Sequence, residues 1–397
     1  MEDFDSSSTV WAWNRAFFAG CSVRPSARTA AGDADVHNSP LLHPGDYLPA
    51  LAAPAAAARA VFVGTCALPA FVRDVLPRVA CPIVLVTGMS DPGPAAVLGS
   101  AAAAHALAGH PLLRAWFAEM RDWPACALPA RCAACARTHA LPIGVDLHTL
   151  AFRPGDRPSW GPAAPPRAQA AAFAAAAVAA GAADAAGVPR APTVYVHFGW
   201  RPPPRREALK LLRANPRFFV EPQRHMERGE LWARMARHRW VLCLQGGGPD
   251  CHRTWEALGL GCGVVCEALP HLVELLGGNA TAGGDTGVPP PPPPPPRQGA
   301  GAAPLAFVCG LPVAAVFAPP VNALLSRDPA ERMAAREGWR EGALSVERLE
   351  AEWRRVEEAR AAARAAAAAD SPKGAPPVVL PALLAAEFWL QKVREAE

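Results

Sequence analysis

Two stretches of the chain alternate short, β-branched apolar runs with longer amphipathic ones. In the first, RAVFVG (59–64) and CPIVLVTG (81–88) are continuously apolar, as strands covered on both faces are. LPAFVRDVL (68–76) between them reads as a helix, and HPLLRAWFAEM (110–120) as another. HALPIGVD (139–146) reads as a third strand running into a loop. Alternation on this scale predicts a parallel sheet with helices on both faces.

From Ala151 to about Arg190 the pattern dissolves into Pro, Ala and Gly, the natural place for a hinge. The run AQAAAFAAAAVAAGAADAAG (168–187) has nearly the length of a membrane span. It is almost all alanine and contains Asp184, so a surface helix or a linker is expected instead. The alternation then restarts: TVYVHFG, RFFVE, RWVLCLQ and GVVCEAL as strands, with RREALKLLRAN, GELWARMARH and CHRTWEALGL as helices. GLPVAAVFAPP (310–320) resumes the core after an eight-proline insertion, and two charged helical stretches close the chain. The expected organisation is an irregular segment (1–55), a Rossmann-like domain (56–150), a linker (151–190) and a second domain (191–397). The fold class is therefore α/β, two Rossmann-like domains facing a cleft, with low-complexity insertions. In such sheets ligands sit beyond the carboxyl ends of the strands.

The chain has 397 residues, enough for two ordinary domains, and a formal charge of +4. That balance is too mild for a nucleic-acid footprint, so no nucleic-acid partner is expected. The 45 prolines concentrate in a few segments around an otherwise normal core. The N-terminal stretch, with Trp11 and Trp13, is acidic and carries no signal-peptide pattern, which leaves Golgi and cytoplasm both open. Eleven cysteines make no regular disulfide framework. Cys243, Cys262 and Cys266 fall in strand-like runs as small buried hydrophobes, and a reducing compartment fits them better.

The chemistry concentrates in RWVLCLQGGGPDCHRTWEALGLGCGVV (239–265). An apolar strand stops at Gly246, Gly247 and Gly248, and a helix opens within a few residues. Glycines let backbone come close to a phosphate, and the first N–H groups of a helix point at it. Arg253 in the first turn works against the helix dipole, which suggests an anion nearby and a bidentate donor for a diphosphate. Glu256 lies on the same face, where a carboxylate can accept the two hydroxyls of a ribose. Diphosphate plus ribose means a nucleotide. The bland alternative is a plain turn followed by a surface Arg253–Glu256 pair.

These residues also resemble the nucleotide-sugar motif of exostosin-like glycosyltransferases: an apolar strand, G-x-G-x-D-x-H-R-x-W-E-A-L, then a glycine-cysteine turn into a strand. Weaker similarity runs through VLVTGMSD, HPLLRAWFAEM, LPIGVDLHTL, VYVHF, RREAL, GLPVAAV and the final EFWLQKV, in the family's order. The resemblance implies a GT-B fold with the nucleotide-sugar donor on the C-terminal domain and a carbohydrate or glycoprotein acceptor mainly on the N-terminal one. It implies that Arg253 holds the diphosphate, Glu256 the ribose, and that Asp250 and His252 shape the loop near the donor sugar. The chain departs from the pattern at Gln245, Pro249 and Ala318-Pro319. Gly248 stands where retaining enzymes of this fold carry a glutamate, which favours inversion.

An inverting transferase needs a base for the acceptor hydroxyl. Asp91, Asp146 and His148 lie where N-terminal strands end, and each is a candidate; each is equally a turn or cap residue. No D-x-D pair ends a strand, so no metal cofactor is indicated, and Arg205 or Arg206 is expected to assist Arg253 with leaving-group charge. Cys126, Cys132, Cys135 and His139 form a set suited to zinc, though the lone C-x2-C in an alanine-rich chain is also readily accidental. Pro289–Pro296 suits an aromatic groove on a proline-binding partner, with a solvated loop as the simpler account. Two other functions compete with a glycosyltransferase. One is a non-catalytic binding or scaffold protein on the same fold. The other is a dinucleotide oxidoreductase, disfavoured by the missing fingerprint.

Overall fold

The computed structural model describes residues 17–18, 20–25, 40–123, 132–147, 149–152, 160–198, 203–221, 226–276, 307–308, 311–312, 315–340, 345–370 and 386–396. Trp11, Trp13, Cys126, His148 and the proline run lie outside them.

Two separate parallel sheets carry the fold. In the first, β1 (Arg59–Gly64), β2 (Ile83–Gly88), β3 (Leu113–Ala118) and β4 (Thr138–Ala140) lie in the order β1-β2-β3-β4. Val23 bridges Val61 at the free edge. In the second, β5 (Ala191–Val196), β6 (Phe218–Val220), β7 (His238–Cys243), β8 (Gly263–Glu267) and β11 (Ala315–Ala318) run β11-β8-β7-β5-β6, again parallel. A two-residue ribbon, β9 (Phe307–Val308) with β10 (Leu311–Pro312), precedes β11. In the second sheet β5 has β6 on one side and β7 on the other. Chain order across the sheet reverses there, and the carboxyl ends of β5 and β7 are where open α/β sheets bind their ligands.

Alternate side chains of each strand enter different cores, because both faces are covered. Val61, Val63, Ile83, Leu85 and Trp116 pack on one face of the first sheet. Phe62, Val84, Val86 and Phe117 pack on the other, in one apolar cluster with Val241, Val264 and Trp255 of the second unit. Val194, Trp240 and Leu242 face a third cluster with Trp339 and Trp353. The two units thus share a continuous interior.

The expected strands at 59–64 and 81–88 and every expected strand and helix of the second unit between 191 and 267 are present within a few residues. The segment HPLLRAWFAEM is a correction: it holds strand β3, not a helix. Leu113 and the run Ala115–Ala118 are buried on both faces, and the Trp116 indole donates to Thr87 Oγ1 on β2 at 2.9 Å. A short run buried all round carries no period that separates the two structures. The helices feeding β3 are α1 (Pro94–Leu98) and α2 (Ala101–Ala108), in an alanine-rich stretch without a clear apolar period.

The expected linker holds α3 (Pro166–Ala185), long and apolar enough by length and composition to cross a membrane. Its packing is that of a helix docked on protein. Gln169 and Phe173 are buried, Gln169 Nε2 donates to the Leu147 and Ala164 carbonyls at 2.9 and 2.8 Å, and the Phe173 ring lies edge-on to Trp232 at 5.0 Å. Helices α4 (Pro203–Arg213), α5 (Arg228–Met235), α6 (His252–Gly259) and α7 (Pro270–Leu276) connect the second sheet. After α8 (Val346–Asp370), the last helix, α9 (Ala386–Ala396), returns to pack near β3 of the first unit, burying Val393.

Candidate functional site

The glycine loop follows β7 at the reversal point of the second sheet, and the carboxyl ends of the first sheet's strands close over it. A Cβ on Gly247 would sit 2.6 Å from Asp91 Cγ. One on Gly248 would overlap the Asp91 carbonyl oxygen and lie 2.8 Å from Met120 Sδ. The loop closes on itself through Gly246 N–H to the Gly248 carbonyl at 3.0 Å. Gly247 and Gly248 are therefore required by the close approach of the opposing unit. Asp91, partly exposed at the end of the β2 segment, is in direct contact with the loop.

Asp250 is the pin of this junction. It is buried, and its carboxylate accepts from Cys251 N–H at 2.7 Å, from the Trp255 indole at 2.8 Å and from Ile143 N–H, across the cleft, at 3.0 Å. His271 of α7 adds Nε2–H at 3.3 Å, while its Nδ1 accepts from Arg121 N–H at 3.1 Å, so the ring proton sits on Nε2. His252 Nδ1 is 2.7 Å from the Gly144 carbonyl. Asp250 and His252 thus join the loop to the first unit and shape it from behind.

Arg253 and Glu256 project from the first turns of α6. Arg253 Nη1 donates to the His197 carbonyl at 2.9 Å, just past β5, so the side chain spans the crevice between β5 and β7. Glu256 is almost buried. Its carboxylate lies 3.5 Å from Arg253 Nε and 3.9 Å from Arg228 Nη2, and among the described residues it accepts no hydrogen bond. A carboxylate held between two guanidinium groups with its acceptor capacity unused is built for hydroxyl donors from outside the chain. The exposed surface pair is not what forms.

Of the adjacent Arg205 and Arg206 on α4, Arg205 reaches the loop: Nε donates to the Gln245 carbonyl at 2.8 Å and Nη2 to that of Leu244 at 2.9 Å, with Phe198 under its plane. Arg206 is exposed on the same helix. Burial lowers the Arg205 pKa, and the nearby Arg253 charge acts in the same direction.

Asp146 is nearly buried and fully engaged. It caps the turn that follows through Thr149 N–H at 3.0 Å and Thr149 Oγ1 at 2.8 Å, and it is ion-paired to Arg228 of α5. Arg228 also donates to the Asp146 carbonyl and lies over Trp160 and Trp232. Three donors, one of them a guanidinium, commit this carboxylate to joining the two units.

Several residues of the junction carry no strong signal in the sequence. Glu119 follows β3 and is buried; Oε2 accepts Met89 N–H at 2.9 Å and Oε1 has no partner among the described residues. Burial pushes this carboxyl well above the usual range, and the Asp250 charge adds to it. Met89 and Met120, at the ends of β2 and β3, are left-handed at φ 59° and 55°, a strained conformation for side chains of this size. Glu267, ending β8, accepts Gln245 N–H and Nε2–H and Val321 N–H at 2.7–2.9 Å. Cys251 sits at the N-cap position of α6 without a side-chain capping bond; a hydrogen bond with Cys243 lowers its pKa to about 7, against burial. The signal available in sequence was a carboxylate directly after an apolar run, as in RAWFAE and VVCE. The Arg228–Asp146 pair, 82 residues apart, left none.

The set expected for zinc regroups. His139 packs tilted against the Phe117 ring at 5.1 Å, and His105 of α2 joins Cys132 and Cys135 in its place. No family model and no curated protein matches this chain.

Proposed function

We propose that the chain is a GT-B glycosyltransferase that transfers a sugar from a nucleotide-sugar donor to a carbohydrate or glycoprotein acceptor with inversion. The observation that carries this reading is Glu256, a nearly buried carboxylate between Arg253 and Arg228 that accepts no hydrogen bond among the described residues. Its location at the order reversal of a parallel sheet is where nucleotides bind in open α/β folds. The resemblance of Asp250–Leu258 to the exostosin-like motif supports the same assignment residue by residue.

In this reading Arg253 and the amino end of α6 take the diphosphate, and Glu256 accepts the ribose hydroxyls. Arg205 supports the loop beneath the phosphates. As the bond to the donor sugar breaks, negative charge grows on the diphosphate, where a fixed guanidinium and helix N–H groups stabilise it without reorganising. Asp91 is the residue best situated to take the acceptor proton, since it touches the glycine loop from the opposite unit, whereas Asp146 is consumed by Arg228 and Thr149. Binding of nucleotide sugars followed by calorimetry, with hydrolysis or transfer scored alongside, tests the proposal. Binding without turnover would favour a non-catalytic scaffold on this fold.

A further inference from the structure

A second chemical cluster lies away from the cleft, between α2 and the connection from β3 to β4. Cys132 precedes a single helical turn (Ala133–Ala136) that carries Cys135, and His105 approaches from the last turn of α2. The two Sγ atoms and one imidazole nitrogen all lie within 4.8 Å of one another, and all three residues are partly exposed. His105 Nε2 is 3.4 Å from Cys135 Sγ. Ligands of a tetrahedral zinc, with Zn–S about 2.3 Å and Zn–N about 2.1 Å, are roughly 3.6 Å apart. The separation is close to that of two ligands sharing an ion, and it is also that of the hydrogen bond the pair makes without one.

The imidazole is also set in the required tautomer. His105 Nδ1 is 3.1 Å from the Ala101 carbonyl, which can only accept, so Nδ1 carries the proton. Nε2 then presents its lone pair to the thiols. Ligating histidines are ordinarily held this way, the second ring nitrogen donating to a backbone carbonyl. Two thiols and one imidazole form a borderline-soft set that suits zinc and excludes calcium and magnesium. Partial exposure supplies an entry path, which a metal site needs.

We propose that Cys132, Cys135 and His105 bind a zinc ion, as two thiolates and a neutral imidazole, with water in the fourth position. Binding releases the two thiol protons to solvent. The ion fastens α2 to the segment that leads through β4 to Ile143 and Gly144, which hold the glycine loop. This proposal is independent of the glycosyltransferase reading.

The test uses the full chain purified with reductant and without chelator. Elemental analysis is expected to give about one zinc per chain. Titration of the stripped protein with cobalt(II) is expected to give thiolate-to-cobalt charge-transfer absorption. His105→Ala should weaken cobalt binding at least tenfold, and the double change Cys132→Ser, Cys135→Ser should abolish the charge-transfer band. His139→Ala should leave both unchanged. If the double variant fails to fold, His105→Ala with His139→Ala decides. Absence of bound zinc together with no cobalt band overturns the proposal. So does a Cys132–Cys135 disulfide in the reduced preparation, or cobalt affinity unchanged in His105→Ala.

Discussion

Replacing Asp250 by asparagine changes one oxygen to an amide and nothing in shape, yet it should loosen the whole junction. In the wild type, the two carboxylate oxygens accept from Cys251 N–H, the Trp255 indole, Ile143 N–H and His271 Nε2–H. Asparagine keeps one acceptor. If its oxygen stays with Cys251 and Trp255, the amide faces Ile143 N–H and His271 Nε2–H, donor against donor. His271 cannot escape by moving its proton to Nδ1, because Nδ1 already accepts Arg121 N–H. Two buried donors are left unsatisfied, at about 1–3 kcal/mol each, so a loss of about 3 kcal/mol or more follows. At roughly 2–4 °C per kcal/mol for units of this size, Tm should fall by about 6–12 °C. Differential scanning calorimetry measures this, and hydrogen exchange at Ile143 N–H should accelerate in parallel. A Tm within about 1 °C of wild type, well under the shift expected for one lost buried bond, would refute the clamp.

Gly248→Ala should be as damaging as a core substitution, because the new Cβ meets backbone of Asp91 and not a movable side-chain end; Gly181→Ala, with open space around it, is the control in the same thermal melts. The Glu119 carboxyl, raised by burial, contributes stability that is complete below the unfolded pKa and is lost as pH rises through the folded one. Glu119→Gln should therefore raise Tm more at pH 8 than at pH 5, and an equal effect at both would contradict the assignment. Cys251, lowered to about 7, should be alkylated by iodoacetamide in preference to buried Cys262 and Cys266, with a rate that rises through neutral pH. Peptide mapping reads this directly, and labelling that rises only near the ordinary thiol range would count against it.

The second unit was legible because its strands and helices differ in length and are punctuated by Gly, Pro and charged residues, so one pattern fits each. The strand–glycine–helix segment also stood out, since Gly247, Gly248, Arg253 and Glu256 are neighbours in sequence and lie at the order reversal of the second sheet. What escaped was set by long-range partners. Strand β3 is buried on both faces and shows no period; its identity depends on pairing with β2. Asp146 looks like a cleft base until Arg228, far along the chain, is seen to hold it. His139 is the nearer histidine in sequence to the cysteine pair, but the α2 packing brings His105 instead.

In the proposed reading Arg253 grips the diphosphate and Glu256 the ribose of a nucleotide sugar. Isothermal calorimetry with the cognate nucleotide sugar, comparing wild type, Arg253→Ala and Glu256→Gln with folding checked by circular dichroism, tests it most directly. Loss of one charge-assisted bond is worth about 1.5–3 kcal/mol, so Arg253→Ala should weaken binding roughly ten- to a hundredfold. Glu256→Gln should weaken ribose-containing ligands far more than inorganic diphosphate. Wild-type affinity in both folded variants would contradict the account.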